Sequence, residues 1–252
     1  MGGWGSLVQI QSPRFGYRPT NLLGPAVTVA LVIPAYNAET TLPALLSSLK
    51  QLFDNRHILV VDDGSTDSTV PRCHESKILV VSHVTNLGKG AALRTGFAWA
   101  MEQGYDAVIT MDADGQHDWQ LVTEFTTTAT LETVDLLIGS RMEAPHEMPV
   151  RRQISNKLTS WLISRRIGQR IPDSQSGYRL IRANVLKAIT LETNRFQTES
   201  ELIIKAGLMG FRIGSSGIPS IYRNSKSSIR PVRDTWRFIL LYLRSFFWTY
   251  GA

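Results

Sequence analysis

Short, almost uninterrupted apolar runs alternate along the first half of the chain with segments of helical apolar spacing. Val27-Thr28-Val29-Ala30-Leu31-Val32-Ile33, ended by Pro34, reads as a central parallel strand buried on both faces. Leu42, Leu45, Leu46, Leu49 and Phe53 recur at helical spacing, which predicts a helix from about Thr40 to Phe53 with Pro43 in its first turn. His57-Ile58-Leu59-Val60-Val61 predicts a second strand, running into Asp62-Asp63-Gly64-Ser65-Thr66-Asp67. A third, Lys77 to Ser82, leads to Asn86-Leu87-Gly88-Lys89-Gly90, and a helix from about Ala91 to Glu102 follows. Val108-Ile109-Thr110-Met111 is a fourth strand, ending in Asp112-Ala113-Asp114-Gly115-Gln116-His117. Each strand ends in a polar, glycine-containing loop. This is the pattern of a Rossmann-like, mostly parallel α/β sheet flanked by helices, whose carboxyl edge collects the functional loops.

The second half changes character. Trp119 to Ala129 fits a helix, and Val134 to Ile138 a strand closed by Gly139-Ser140-Arg141. Ile154, Leu158, Trp161, Leu162 and Ile167 then form a helical stripe among Arg151, Arg152, Lys157, Arg165, Arg166 and Arg170. Core packing and an interfacial helix both account for such a stripe. Asp173-Ser174-Gln175-Ser176-Gly177-Tyr178-Arg179 reads as a polar loop entering a short strand. A helix near Thr198 to Met209 and a β-rich stretch near Phe211 to Tyr222 follow. From Arg233 onward, apolar residues cover too much of the last helix for one core-facing stripe, as expected of docking on a membrane surface or a partner helix. Residues 1–26 show no sustained period and read as an irregular leader.

Composition and charge refine this outline. With 252 residues and 43% apolar content, the chain can build one large globular domain. A single cysteine, Cys73, excludes an internal disulfide, and no Cys/His spacing resembles a zinc site. The net charge of +6 is unevenly spread: from Arg141 onward lie 19 of the 27 Lys+Arg but 7 of the 21 Asp+Glu, giving +12 there against −6 before it. Such a split suits a second part facing phosphate groups or an anionic lipid surface. No run reaches the roughly 18 apolar residues of a membrane span. The aromatic residues form no obvious stacking platform for a nucleic acid, and none is expected as a partner.

Several loops should meet at one sheet edge: Pro34-Ala35-Tyr36-Asn37, Asp62-Asp63, Gly88-Lys89-Gly90 and Asp112-Ala113-Asp114. An aromatic ring can stack on a base, a carboxylate can accept from base or ribose, and a Gly-Lys-Gly loop can approach phosphate. Two carboxylates at i and i+2 suit Mg2+ or Mn2+, which completes its shell with substrate phosphate; ordinary turn chemistry is the other account of Asp-Ala-Asp-Gly. Neither a dinucleotide fingerprint nor a Walker loop is present.

Taken in order, Ile33 to Asn37, Val61 to Asp67, Asn86 to Gly90, Met111 to His117 and Gly139 to Arg141 resemble the family-2 glycosyltransferases of GT-A fold. Asp173 to Arg179, Tyr222-Arg223 and Ser225-Lys226 are most similar to the dolichyl- or polyprenyl-phosphate sugar transferases within it. The resemblance covers about residues 27–230, with 27–118 as the nucleotide-sugar half and 119–230 as the acceptor half; residues 231–252, outside it, read as an amphipathic C-terminal helix. It implies that Pro34, Tyr36, Val61 and Asp63 hold the nucleoside, with Ala35, Glu39, Lys89 and Ala113 also at the donor, and that Asp112, Asp114 and Gln116 hold Mg2+ or Mn2+. Arg141 would lie between the acceptor and donor phosphates, Arg151 or Arg152 would meet the lipid phosphate, and Arg223 and Lys226 would come from a loop closing over the diphosphate. Members of this clade commonly carry Glu after the residue matching Asn37; Ala38 stands there and Glu39 follows, so Glu39 substitutes or the contact is lost. The implied reaction is inverting transfer from a nucleotide-sugar such as GDP-mannose or UDP-glucose to a polyprenyl phosphate at the cytosolic membrane face. Basic amphipathic helices would contact the membrane, with room for a separate anchoring subunit. A hydroxyl acceptor would need a base, for which Asp173 is the candidate, and loop bracing is its other reading.

Overall fold

The computed structural model describes residues 8–9, 27–115, 119–126, 133–143, 148–219 and 231–250. In chain order these form β1 (Val8–Gln9), β2 (Val29–Ala35), α1 (Leu42–Leu49), β3 (Ile58–Asp62), α2 (Thr69–Glu75), β4 (Leu79–His83), α3 (Lys89–Glu102), β5 (Ala107–Thr110) and α4 (Val122–Phe125). There follow β6 (Leu136–Ser140), α5 (Val150–Ile167), β7 (Arg179–Arg182), α6 (Ala183–Ala188), α7 (Gln197–Leu208), β8 (Ile213–Gly217) and α8 (Pro231–Ser245). The strands make one sheet in the order β1-β4-β3-β2-β5-β7-β6-β8.

The continuous apolar runs become its centre. All seven residues of β2 are buried, and Leu31 stands beside Ile58 on one side and Ile109 on the other. Alternate side chains feed two core layers. Leu31 and Ile33 pack with Leu42, Leu46 and Leu49 of α1 on one face, and Ala30 and Val32 pack with Ala92, Leu93 and Phe97 of α3 on the other. Ile203 of α7 and Phe238 and Leu241 of α8 complete the second layer. Burial on both faces is why these strands lack apolar/polar alternation.

Direction matters most for function. β2, β3, β4 and β5 are mutually parallel, so Ala35, Asp62, His83 and Thr110 end at one edge. β7 is antiparallel to both β5 and β6. Hence β6 runs parallel to β5, and its end at Ser140 opens onto the same edge, as does the start of β7. The loop 173–178 is therefore delivered there too.

Several boundaries differ from the sequence expectation. α3 starts at Lys89, two residues early, because Gly88 takes φ 106° as its N-cap and the helix turns at once. The helix expected from Trp119 to Ala129 is, within the described residues, a 3-10 turn, Trp119–Leu121, followed by α4. There Thr126 turns its hydroxyl back onto the carbonyls of Val122 and Thr123. Within residues 1–26 the described pair Val8–Gln9 adds a short antiparallel strand to the β4 edge.

Candidate active site

The first loop at the shared edge is fixed by its neighbour. Asn37, at φ 50°, accepts from the Thr66 amide at 2.9 Å, and its own N–H donates to Ser65 Oγ at 2.8 Å. The Glu39 carboxylate accepts from the Ser68 amide at 2.9 Å, so it braces this loop pair. Thr41 Oγ1 donates to the Ala113 carbonyl at 2.6 Å and ties the loop to the turn after β5. Tyr36 is left 48% exposed at the mouth. Pro34 and Ala35 are buried in β2, and Val61 is fully buried in β3, offering no side-chain surface to a ligand.

Asp63 is buried and committed internally. Its Oδ1 meets His83 Nδ1 at 2.8 Å and accepts from the Leu87 amide at 2.9 Å, while Oδ2 accepts from the Gly88 amide at 2.7 Å. His83 Nε2 meets Thr95 Oγ1 at 2.9 Å. Asp63 thus shapes the turn that presents Lys89 at the start of α3.

Lys89 is the centre of the site. Its Nζ lies 2.6 Å from Asp112 Oδ1 and 3.0 Å from Glu199 Oε1 of α7. Burial alone would push the ammonium down, but Asp112 and Glu199 outweigh it and hold the group above its usual value. Asp112 itself fills the space beside Gly177 that a Cβ there would take, and Thr110 Oγ1 donates to the Gly177 carbonyl at 2.8 Å. Asp114 stands on the following turn, partly exposed.

A second ionic centre lies at the end of β6. Asp173, fully buried, takes Arg141 Nε and Nη2 in a bidentate pair at 2.9 and 3.0 Å, together with the Arg141 amide at 3.0 Å. It also accepts from Asn156 Nδ2 of α5 at 2.6 Å and from the Gln175 amide at 3.2 Å. Burial opposes the anion, yet the Arg141 guanidinium and the Asn156 amide outweigh it and hold the carboxyl below its ordinary value. Five donors on two oxygens use up the acceptor capacity a base would need. Arg179, also buried, donates to the Ser174, Ser176 and Glu199 carbonyls at 2.7–2.9 Å and so joins the two centres. Burial pushes its guanidinium below the usual value against the pull of Glu199, Asp173 and Asp112.

The structure therefore brings Tyr36, Asp63, Lys89, Asp112, Asp114, Arg141 and Asp173 to one edge. Arg151, exposed, and Arg152, partly buried, occupy the first turn of α5. Gln116, His117, Arg223 and Lys226 lie outside the described residues. Glu199, Arg179 and Asn156 were missed by sequence reasoning. The partners of Glu199 and Asn156 belong to other elements and give no local spacing; the tail of the polar loop before β7 was the only hint of Arg179.

The donor set of Asp112 and Asp114 fits a hard divalent ion. Among the described residues, no group of three or more His, Cys, Asp or Glu is arranged to hold a metal. Two carboxylates suit Mg2+ or Mn2+ completing its shell with substrate phosphate, and not a self-contained protein cage.

Comparison with known proteins accords with this geometry. Residues 30–190 match the model of glycosyl transferase family 2. An undecaprenyl-phosphate mannosyltransferase of Micrococcus luteus is 32% identical over 73% of this chain and 80% of its own length. A UDP-N-acetylglucosamine–dolichyl-phosphate N-acetylglucosaminyltransferase of Methanococcus voltae is 31% identical over 77% of this chain and 86% of its own. Glucosyl-3-phosphoglycerate synthase of Mycobacterium tuberculosis, solved with Mn2+, UDP and phosphoglyceric acid, superposes with a TM-score of 0.66 at 22% identity, covering 87% of this chain and 77% of that one. The fold is GT-A, and the chain belongs to glycosyl transferase family 2 as a glycosyltransferase.

Proposed function

We propose that the protein transfers a sugar from a nucleotide-sugar to a polyprenyl phosphate, with a divalent metal, at the cytosolic face of a membrane. The observation that carries the lipid-phosphate reading is the inverted amphipathicity of α5. Val150, Ile154, Leu158 and Trp161 form an outward apolar stripe, each more than half exposed, while the buried face is Asn156, Ser160 and Ile163. The same helix thus offers apolar surface outside and, through Asn156, holds the Asp173 that orients Arg141. Arg151 and Arg152 at its start suit a phosphate head group. α8 adds exposed Trp236, Leu240, Leu243, Phe246 and Phe247 beside Arg233 and Arg244. No helix among the described residues is long and apolar enough to cross a membrane. Peripheral contact through these faces, with or without an anchoring subunit, is the arrangement that fits.

In this reading Tyr36 stacks on the base and the Asp63-shaped turn sets Lys89 against the diphosphate. Asp112 and Asp114 would hold a divalent metal, with Gln116 expected as a third ligand from the resemblance. Bound there, such an ion would supply positive charge to the leaving diphosphate. Arg141, fixed by Asp173, would lie between the attacking and leaving phosphates, and the resemblance assigns Arg223 and Lys226 to the donor diphosphate. A phosphate monoester, whose second pKa is about 6, is already ionised and needs no protein base. Single displacement then inverts the anomeric carbon. A hydroxyl acceptor is disfavoured, because Asp173 has its acceptor sites filled.

Incubation with GDP-mannose or UDP-glucose, Mn2+ or Mg2+ and a short polyprenyl phosphate should yield a lipid-linked sugar of inverted configuration. Absence of any such product with every donor sinks the reading.

A further inference from the structure

Three features of the Lys89 site go together: one ammonium, two flanking carboxylates from different elements, and one of those carboxylates on the pair assigned to the metal. Nζ is 2.6 Å from Asp112 and 3.0 Å from Glu199, with the Lys89 side chain 16% exposed and Glu199 8%. Glu199 is held in place from behind, since its own carbonyl accepts from buried Arg179 at 2.7 Å. Asp112 is backed by Gly177, where there is no side chain to push it away. The ammonium therefore holds one oxygen of the carboxylate pair assigned to the ion.

We infer that Lys89 is a tethered counter-ion that makes metal and donor binding cooperative, with Glu199 as the positioning residue that holds it. This rests on the metal-dependent donor reading above. An ion arriving alone must displace the ammonium from Asp112 and then sit beside it, which is repulsive. When a nucleoside diphosphate arrives as well, the ammonium moves from Asp112 to a phosphate oxygen and stays anchored to Glu199. The metal takes the vacated carboxylate, and each ligand improves the site for the other. Such coupling is reciprocal by linkage.

The test is Mn2+ binding by electron paramagnetic resonance, counting free ion, with and without UDP or GDP. Wild type should bind Mn2+ weakly alone and roughly tenfold or more tightly with the matching nucleotide. Lys89→Met should bind Mn2+ alone more tightly than wild type and lose most of the nucleotide enhancement. Glu199→Gln removes one of the two carboxylates sharing the ammonium, so Lys89 pairs more firmly with Asp112. Mn2+ alone should then bind more weakly than to wild type. Opposite signs for the two variants are the signature, since general damage to the site moves both downward. Lys89→Met with unchanged or weakened Mn2+ binding overturns the inference while leaving the transferase reading in place, as does Glu199→Gln with tightened binding. Wild type that takes up no Mn2+ with either nucleotide overturns the metal-dependent reading and this inference with it.

Discussion

Asp173 has both oxygens taken by Arg141, Asn156 and the Gln175 amide, with no water-facing surface. Removing one partner of a buried, hydrogen-bonded charge pair strands the other and costs about 3–5 kcal/mol. Asp173→Asn should lose stability of that order in urea unfolding, with transfer falling through misplacement of Arg141. A variant that keeps wild-type stability and loses only turnover would restore the base role and the hydroxyl acceptor. The sign with pH is fixed by the lowered carboxyl. Its contribution is complete above the ordinary value of 3.8 and is lost as pH falls through the folded-state value. Wild type should therefore weaken in acid more steeply than Asp173→Asn. Gly177 makes the complementary point, since an added methyl would meet the Asp112 carboxylate. Gly177→Ala should leave the melting temperature within a few degrees of wild type yet lower transfer by about 100-fold, the scale of an ångström-level misplacement. At this scale the sequence showed which residue types would meet, but not their pairings. Asp63 and Glu39 were expected at the donor; in the structure their carboxylates accept from the backbone amides of Leu87, Gly88 and Ser68, partners that no local spacing announces.

At the scale of elements, β2, β3 and β5 could be read from the chain because burial on both faces leaves an uninterrupted apolar signature. The insertion of β7 between β5 and β6 could not: Arg179-Leu180-Ile181-Arg182 is four residues long, and its place depends on pairing with strands about 45 and 70 positions earlier. For α5 the stripe was legible and its direction was not, because Asn156 and Ser160 face inward for the sake of Asp173 and Ser174. An outward apolar stripe on an otherwise well-packed body calls for a cover. Trp161→Asp, and separately Leu240→Asp on α8, should each reduce co-sedimentation with vesicles containing anionic lipid while leaving Mn2+ and nucleotide binding intact. Unchanged sedimentation in both would remove the lipid surface as the cover.

For the molecule as a whole, the +12 of the second part is carried largely on the helices that bear these stripes, and the −6 of the first part on the half that builds the donor edge. Electrostatic attraction to an anionic surface would then orient the body before apolar contact, and raising salt would weaken that first step. The C-terminal helix buries few side chains among those described: Phe238, Leu241 and Ser245. Arg166 donates to the Ser245 carbonyl and covers the Phe246 ring at 4.9 Å, and Lys205 covers Trp248 at the same distance. With so few buried groups, this helix opens at a lower free-energy cost than the sheet, by a local fluctuation that leaves β2 to β5 intact. In hydrogen-exchange language it is an outer unit less protected than the sheet. Whatever covers its exposed face then slows amide exchange in that unit while the sheet keeps its own clock.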